Sequence, residues 1–329
     1  MTGTAAEILA LLREWDAADD PAPLVIETSG STGRAKRVVL SRRAMRASAL
    51  ATQARLGGPG QWVLNLPPTY VAGVQVLYRS VVAGTDPVVT SDVEAARAQV
   101  TGCSYLSLVP TQLHRRLGDP GAVAALAGFD AVLVGGGPLG RDTRRRAEEA
   151  GIAVVQTYGM SETCGGCVYD GRPLDGVEVR IEGGEVLLSG PVLFDGYEGD
   201  PERTAAVLRD GWFRTDDLGL VDGDGALHVT GRTDDMIISG AVKVPGPTVA
   251  ERLRGLASVR EAEVLGVPDE EWGERVVAFV VGHVGLDEVR EHVAAELPRE
   301  WAPRQVVEVA GIPLLANGKV DRVMLRSLA

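Results

Sequence analysis

The sequence predicts an α/β protein: a large domain with a mostly parallel sheet plus an antiparallel element, then a small α+β C-terminal domain. Three observations carry this. Between residues 24 and 156, short runs rich in Val, Ile and Leu alternate with stretches of helical spacing, the pattern of a parallel sheet covered on both faces. After Gly171 the chain turns to strands joined by Gly and Asp turns, which reads as antiparallel hairpins. From near Gly231, one helix, two strands, a second helix and a short strand make a compact unit.

The elements follow in order. Residues 1–20 read as an amphipathic helix ending in acids. Strands are expected at LVIET (24–28), VVL (38–40), QWVLNL (61–66), DPVVT (86–90), YLSLV (105–109), DAVLVG (130–135) and IAVVQ (152–156). Helical spacing covers 42–56, 71–84, 91–100 and 140–151. VEVRI-EGG-EVLLSG and LGLV-DGDG-ALHV are hairpins by their turn residues. In the small domain, EAEVLGV (261–267) and RVVAFVVG (275–282) are strands, 286–297 a helix and VVEVA (306–310) a last strand. The boundary falls at about residue 232, giving domains 1–232 and 233–329.

Composition limits the function. At about 150 residues per domain, 329 residues suit two domains. A formal net charge of −12 argues against a coat for nucleic acid or an anionic membrane surface, although it leaves room for a small basic pocket. No apolar run approaches the roughly 20 residues of a spanning helix. The start has no basic head or apolar signal core, and three cysteines make no disulfide framework. A cytoplasmic protein with a small-molecule substrate is expected, with no nucleic-acid or membrane partner; self-association into a homo-oligomer is compatible with the sequence.

Five strings could carry chemistry. Thr28-Ser29-Gly30-Ser31-Thr32-Gly33-Arg34-Ala35-Lys36 follows a strand and combines hydroxyls, glycines and cations, which suits an oxyanion. Gly135-Gly136-Gly137-Pro138-Leu139-Gly140 satisfies the dinucleotide fingerprint. However, Pro138 lacks a backbone N–H and the next strand ends in Gln156 and Thr157 without a ribose-binding acid. Thr157-Tyr158-Gly159-Met160-Ser161-Glu162-Thr163 lies at a strand's carboxyl end, where a hydroxyl and a carboxylate can serve a phosphate and a magnesium ion. In Gly211–Gly219 and Gly231–Asp235, an aspartate can accept from both hydroxyls of a ribose. Asn317-Gly318-Lys319 is a tight-turn signal with a lysine at or past its tip. Cys164-Gly165-Gly166-Cys167 lacks the further ligands a zinc site needs, and His114, His228, His283 and His292 are scattered.

In this order the strings resemble the adenylate-forming superfamily of acyl-CoA synthetases, luciferases and peptide-synthetase adenylation domains. The resemblance runs from Thr28 to Arg322 and implies an ATP- and magnesium-dependent acid–CoA ligase with CoA as co-substrate. Ligation of another small or aromatic carboxylic acid, or nucleotide binding without ligase activity, stays open. By resemblance, Thr28, Ser29, Ser31, Thr32 and Lys36, with Gly30 and Gly33 between them, hold the β- and γ-phosphates. Ser161 touches the α-phosphate and Glu162 holds magnesium. Gly136, Gly137, Pro138 and Tyr158 pack on the adenine, Gly159 belongs to the same ATP site, and Gly136 also faces the acyl group. Asp217 holds the ribose with Arg232, Lys319 is the catalytic lysine, and Asp234 is the hinge of a mobile cap. Arg79, on the helix VAGVQVLYRSVVAG, is assigned a second carboxylate on the acid, the alternative being a surface arginine. Three positions depart from the family. Tyr70 stands where a histidine is common, Asp216 replaces the glycine of TGD, and Ala241 replaces a glycine beside the expected CoA tunnel. Members are commonly longer ahead of the phosphate loop, so a shortened large domain is expected, one wall of its pocket coming from elsewhere, such as a second subunit.

Overall fold

The computed structural model describes residues 1–28, 36–315 and 320–329, and residue 234 by its backbone alone. Helix α1 (Ala5–Ala17) leads to strands β1 (Leu24–Thr28) and β2 (Lys36–Leu40). The sequence puts both in the parallel sheet; instead they pair antiparallel with each other, Leu24 opposite Leu40 and Thr28 opposite Lys36. The connection decides this, because a parallel pair needs a crossover of about a dozen residues or more, and 29–35 is too short.

The parallel sheet follows. Helix α2 (Arg42–Arg55) precedes β3 (Gln61–Leu64), α3 (Val71–Ala83), β4 (Val88–Val89), α4 (Val93–Gln99) and β5 (Ser104–Leu108). Next come α5 (Pro110–Arg116), α6 (Pro120–Ala127), β6 (Ala131–Val134), α7 (Arg141–Glu149) and β7 (Val154–Met160). The order is β4-β3-β5-β6-β7, every neighbouring pair parallel. All positions of β5 and β6 are buried, as helices on both faces require. Val63, Leu106, Val132 and Val154 pack with Leu113, Leu126 and Phe129 in one core. The sequence gives no reading for 110–127. Two short helices form there because Pro110 and Pro120 each take a first helical position, where a missing N–H does no harm.

Antiparallel pairing begins before the expected point. One helical turn, Ser161–Thr163, reverses the chain into β8 (Gly165–Tyr169), antiparallel to β7, and β9 (Arg172–Pro173) pairs back on β8. Strands β10 (Glu178–Glu182), β11 (Glu185–Ser189) and β12 (Gly196–Tyr197), helix α8 (Pro201–Val207), and strands β13 (Leu208–Arg209), β14 (Trp212–Val221) and β15 (Leu227–Arg232) follow. β12 returns to the first hairpin, Tyr197 opposite Val38. The expected hairpin strands are present as β10, β11, β14 and β15.

The chain forms two compact units. One holds Met1–Glu182, Leu187–Thr215 and Val221–His228; the other holds Gly183–Val186, Asp216–Leu220 and Val229–Ala329. The second adds β16 (Met236–Ser239), β17 (Val242–Pro245), α9 (Gly246–Leu253), β18 (Val259–Asp269), β19 (Gly273–Gly282), α10 (Leu286–Ala294), β20 (Gln305–Glu308) and α11 (Arg322–Arg326). The hairpin β16–β17 and α11 are additions to the expected elements. Alternation along β18 and β19 feeds two cores: Val264, Val276, Ala278 and Val280 pack under α9 and α10, while Leu265, Val277, Phe279 and Val281 pack with Ile312 and Leu325. No helix among the described residues is long and apolar enough to cross a membrane.

Candidate functional site

In the first unit, the parallel strands deliver their carboxyl ends to one edge, where α/β sheets bind ligands. β6 ends there at Val134, and beyond Gly135 the residues Gly136, Gly137 and Pro138 are exposed. Gly136 has φ +82, a conformation that a side chain disfavours, so the loop keeps its backbone open. β7 runs further, carrying Tyr158 and Gly159, both half-buried, to that edge. A Cβ on Gly159 would lie 2.1 Å from the Gly165 carbonyl oxygen, so only glycine lets β7 and β8 close here.

The turn after β7 is held from inside. The Met160 N–H donates to Thr163 Oγ1 (2.9 Å), whose hydroxyl donates to the Gly165 carbonyl (2.7 Å). This fixes Ser161 and Glu162, both buried. Glu162 Oε1 accepts from the Tyr197 hydroxyl at 2.8 Å and lies 3.9 Å from Lys36 Nζ. Its Oε2 accepts no hydrogen bond among the described residues. A single fixed carboxylate with one open oxygen fits magnesium, which takes most of its ligands from phosphate and water. Thr28 ends β1 and Lys36 begins β2, so they flank the hydroxyl-rich loop. Ser29, Gly30, Ser31, Thr32 and Gly33 lie outside the described residues, as does Lys319. Tyr197 has no role in the sequence reading; it stands 35 residues from Glu162, and no local pattern announces it.

The second unit brings Asp217 and Arg232 together. Asp217 on β14 is buried, and Arg232, at the end of β15, donates to its Oδ1 at 2.9 Å and lies 3.5 Å from Asp216. The helical turn Thr233–Asp235 follows, and of Asp234 only the backbone is described. Asp235 pairs through both carboxylate oxygens with Arg322, the Nη2–Oδ2 contact being 3.0 Å. Arg322 also approaches Glu263 at 3.5 Å. Burial raises the Glu263 carboxyl above its usual range, against the lowering effect of Arg322 and Arg254.

Between α2, α3 and β8 lies a buried polar seam. Gln75 and Ser48 both donate to the Cys164 carbonyl, at 2.7 and 3.2 Å, and Thr52 and Tyr169 share a hydrogen bond of 3.0 Å. Arg79 sits one helical turn beyond Gln75 and is only 6% exposed, so the surface alternative is excluded. Its guanidinium lies over the Trp62 ring (5.0 Å) and donates to the Tyr169 hydroxyl (3.3 Å). It meets no carboxylate among the described residues, and its Nε and Gln75 Oε1 are buried without hydrogen bonds. With Gln53, Trp62 and Tyr105 it lines a small recess. Tyr70, half-buried, stands at the N-cap of α3 without capping it through its side chain.

Cys164 and Cys167 are fully buried, and loss of solvent raises both thiols, Cys167 to about 12. Cys103 is exposed. A disulfide-exchange reagent such as DTNB at pH 8 should therefore label Cys103 in the native protein and reach the other two only on unfolding. Rapid native reaction of all three thiols would contradict this burial.

Residues 5–198 match the family described as AMP-binding enzyme, and residues 249–319 match the AMP-binding enzyme C-terminal domain. A Mycobacterium tuberculosis protein named "Probable 2-succinylbenzoate--CoA ligase" is 45% identical over 335 residues, covering 97% of this chain and 87% of the relative. The o-succinylbenzoate CoA synthetase of Bacillus subtilis, solved with its acyl-adenylate OSB-AMP, superposes with a TM-score of 0.80 at 28% identity, covering 92% of this chain and 68% of that one. The amide bond synthetase McbA of Marinactinospora thermotolerans gives a TM-score of 0.80 at 31% identity, with the same coverages. With both family regions in order along it, this chain belongs to the AMP-binding enzymes.

Proposed function

We propose that this chain is a cytoplasmic acid–CoA ligase that joins 2-succinylbenzoate to CoA through an acyl-adenylate, with release of AMP and pyrophosphate. The observation that carries the substrate is the 45% identity to a protein named 2-succinylbenzoate–CoA ligase; Arg79 is assigned the second carboxylate of the acid. Its buried guanidinium meets no acid among the described residues, which is costly to keep, and a second carboxylate on the acid substrate would offset that cost. Trp62 packs against the Arg79 guanidinium, and Tyr70 and Gly136 are assigned to the acyl group at the carboxyl ends of the strands.

The remaining roles follow the chemistry. A carboxylate attacking the α-phosphate brings two anions together, so their repulsion has to be offset. Lys36 and the hydroxyls of Thr28, Ser29, Ser31 and Thr32, on a loop with Gly30 and Gly33, hold the β- and γ-phosphates, and Ser161 holds the α-phosphate. Glu162 holds magnesium, which when bound neutralises phosphate charge. Gly136, Gly137, Pro138 and Tyr158 pack on the adenine, and Gly159 belongs to the same ATP site. Asp217 takes the ribose hydroxyls, its orientation fixed by Arg232. Residues 1–232 form the adenylation domain and 233–329 a cap that turns at Asp234, so that Lys319 serves adenylation and CoA then gains access.

Incubation with ATP, magnesium, CoA and 2-succinylbenzoate should release AMP and pyrophosphate in equal amounts. No release with this acid, but release with another from a panel of aromatic and short-chain acids, would overturn the substrate and leave the ligase reading. No release with any acid, despite ATP binding, would overturn both.

A further inference from the structure

We infer that Tyr197 is the positioning residue of the metal carboxylate, setting which oxygen of Glu162 faces the magnesium ion. This rests on the reading above that Glu162 holds the metal.

Two strands deliver the parts. Lys36 opens β2, and β12 pairs with β2 so that Tyr197 stands opposite Val38. From there the Tyr197 hydroxyl reaches across and donates to Glu162 Oε1 at 2.8 Å. The segment grips Glu162 a second time, because the Phe194 N–H donates to the Glu162 carbonyl at 2.9 Å. The phenol is itself held. The Tyr197 N–H donates to Thr204 Oγ1 at 2.9 Å, and the ring packs edge-on to Phe194 at 5.0 Å. Two cations also lie near its π-face, Lys36 Nζ at 5.5 Å and the Arg203 guanidinium at 5.3 Å from the centroid. Their field favours electron density moving onto the ring and makes the O–H a better donor.

A free glutamate turns about three torsions and offers either oxygen. This one is buried, with Oε1 taken by a charge-assisted hydrogen bond and Lys36 on the same side at 3.9 Å. That leaves Oε2 as the oxygen with no partner among the described residues, fixed before any ion arrives. Lys36 approaches the same oxygen as the phenol, so the lysine is placed for phosphate without competing for the metal's oxygen.

The test is equilibrium binding of manganese, followed by the electron-spin-resonance signal of the free ion, with a non-hydrolysable ATP analogue present. Tyr197→Phe keeps the ring, its edge contact and both cations, and removes one hydroxyl. It should weaken manganese binding about 10- to 100-fold, the range for lost partners of metal ligands. Binding of the analogue in EDTA should be unchanged. Manganese affinity within about twofold of wild type overturns the inference, and so does joint loss of metal and metal-free nucleotide binding. Glu162→Gln separates the two claims. Weakened binding in Glu162→Gln with wild-type binding in Tyr197→Phe removes only the role of Tyr197, whereas unweakened binding in Glu162→Gln removes the metal reading and this inference with it.

Discussion

With Lys319 replaced by alanine, adenylate formation is expected to slow about 10²- to 10³-fold, the cost of removing one preorganised group from developing charge. ATP should bind as before, because the β- and γ-phosphates are assigned to Lys36 and the hydroxyl loop. The split follows from the sequence position of Lys319, in a tight-turn string of the second unit, while the phosphate loop belongs to the first. Rapid-quench pyrophosphate release measures the first quantity and calorimetric titration with ATP the second. Unchanged turnover would make Lys319 an ordinary turn lysine.

Arg79→Gln gives the second large effect, on specificity. Hydrogen bonds to charged groups contribute about 1.5 to 3 kcal/mol, so kcat/KM for 2-succinylbenzoate should fall by roughly 10- to 150-fold. Analogues of the acid with the second carboxylate removed should be turned over about as well by the variant as by the wild type. Folding stability should hold or rise, because the substitution removes a buried charge that meets no acid among the described residues. A structural role for Arg79 predicts the opposite pattern: lower melting temperature and equal loss with every acid. The two readouts together decide between them.

The parallel sheet is legible because its strands are nearly continuous apolar runs and its helices keep a helical period. The first hairpin misleads for the same reason, since an apolar run does not say whether its partner is parallel. Only the shortness of the 29–35 connection carries that information. Ser161 and Glu162 are legible as a hydroxyl and an acid at a strand end. The burial of Arg79 is not, because VAGVQVLYRSVVA is apolar on most faces and either side of the helix could turn inward. The internal ties of the turn after β7, Thr163 above all, and the Tyr197 contact are products of tertiary packing across distant segments, and no spacing rule encodes them.

The pairing of Asp235 with Arg322 joins positions 87 residues apart. A neutral change at Asp235 removes the two-oxygen partner of Arg322, and one at Arg322 takes a cation away from both Asp235 and Glu263. Selection would then remove either change unless the other site altered in the same lineage. Asp235 and Arg322 are thus expected to vary together. A graft or chimaera that takes residues 231–235 from one parent and 320–326 from another inherits a mismatch at this pair wherever the parents differ there, however well each half folds.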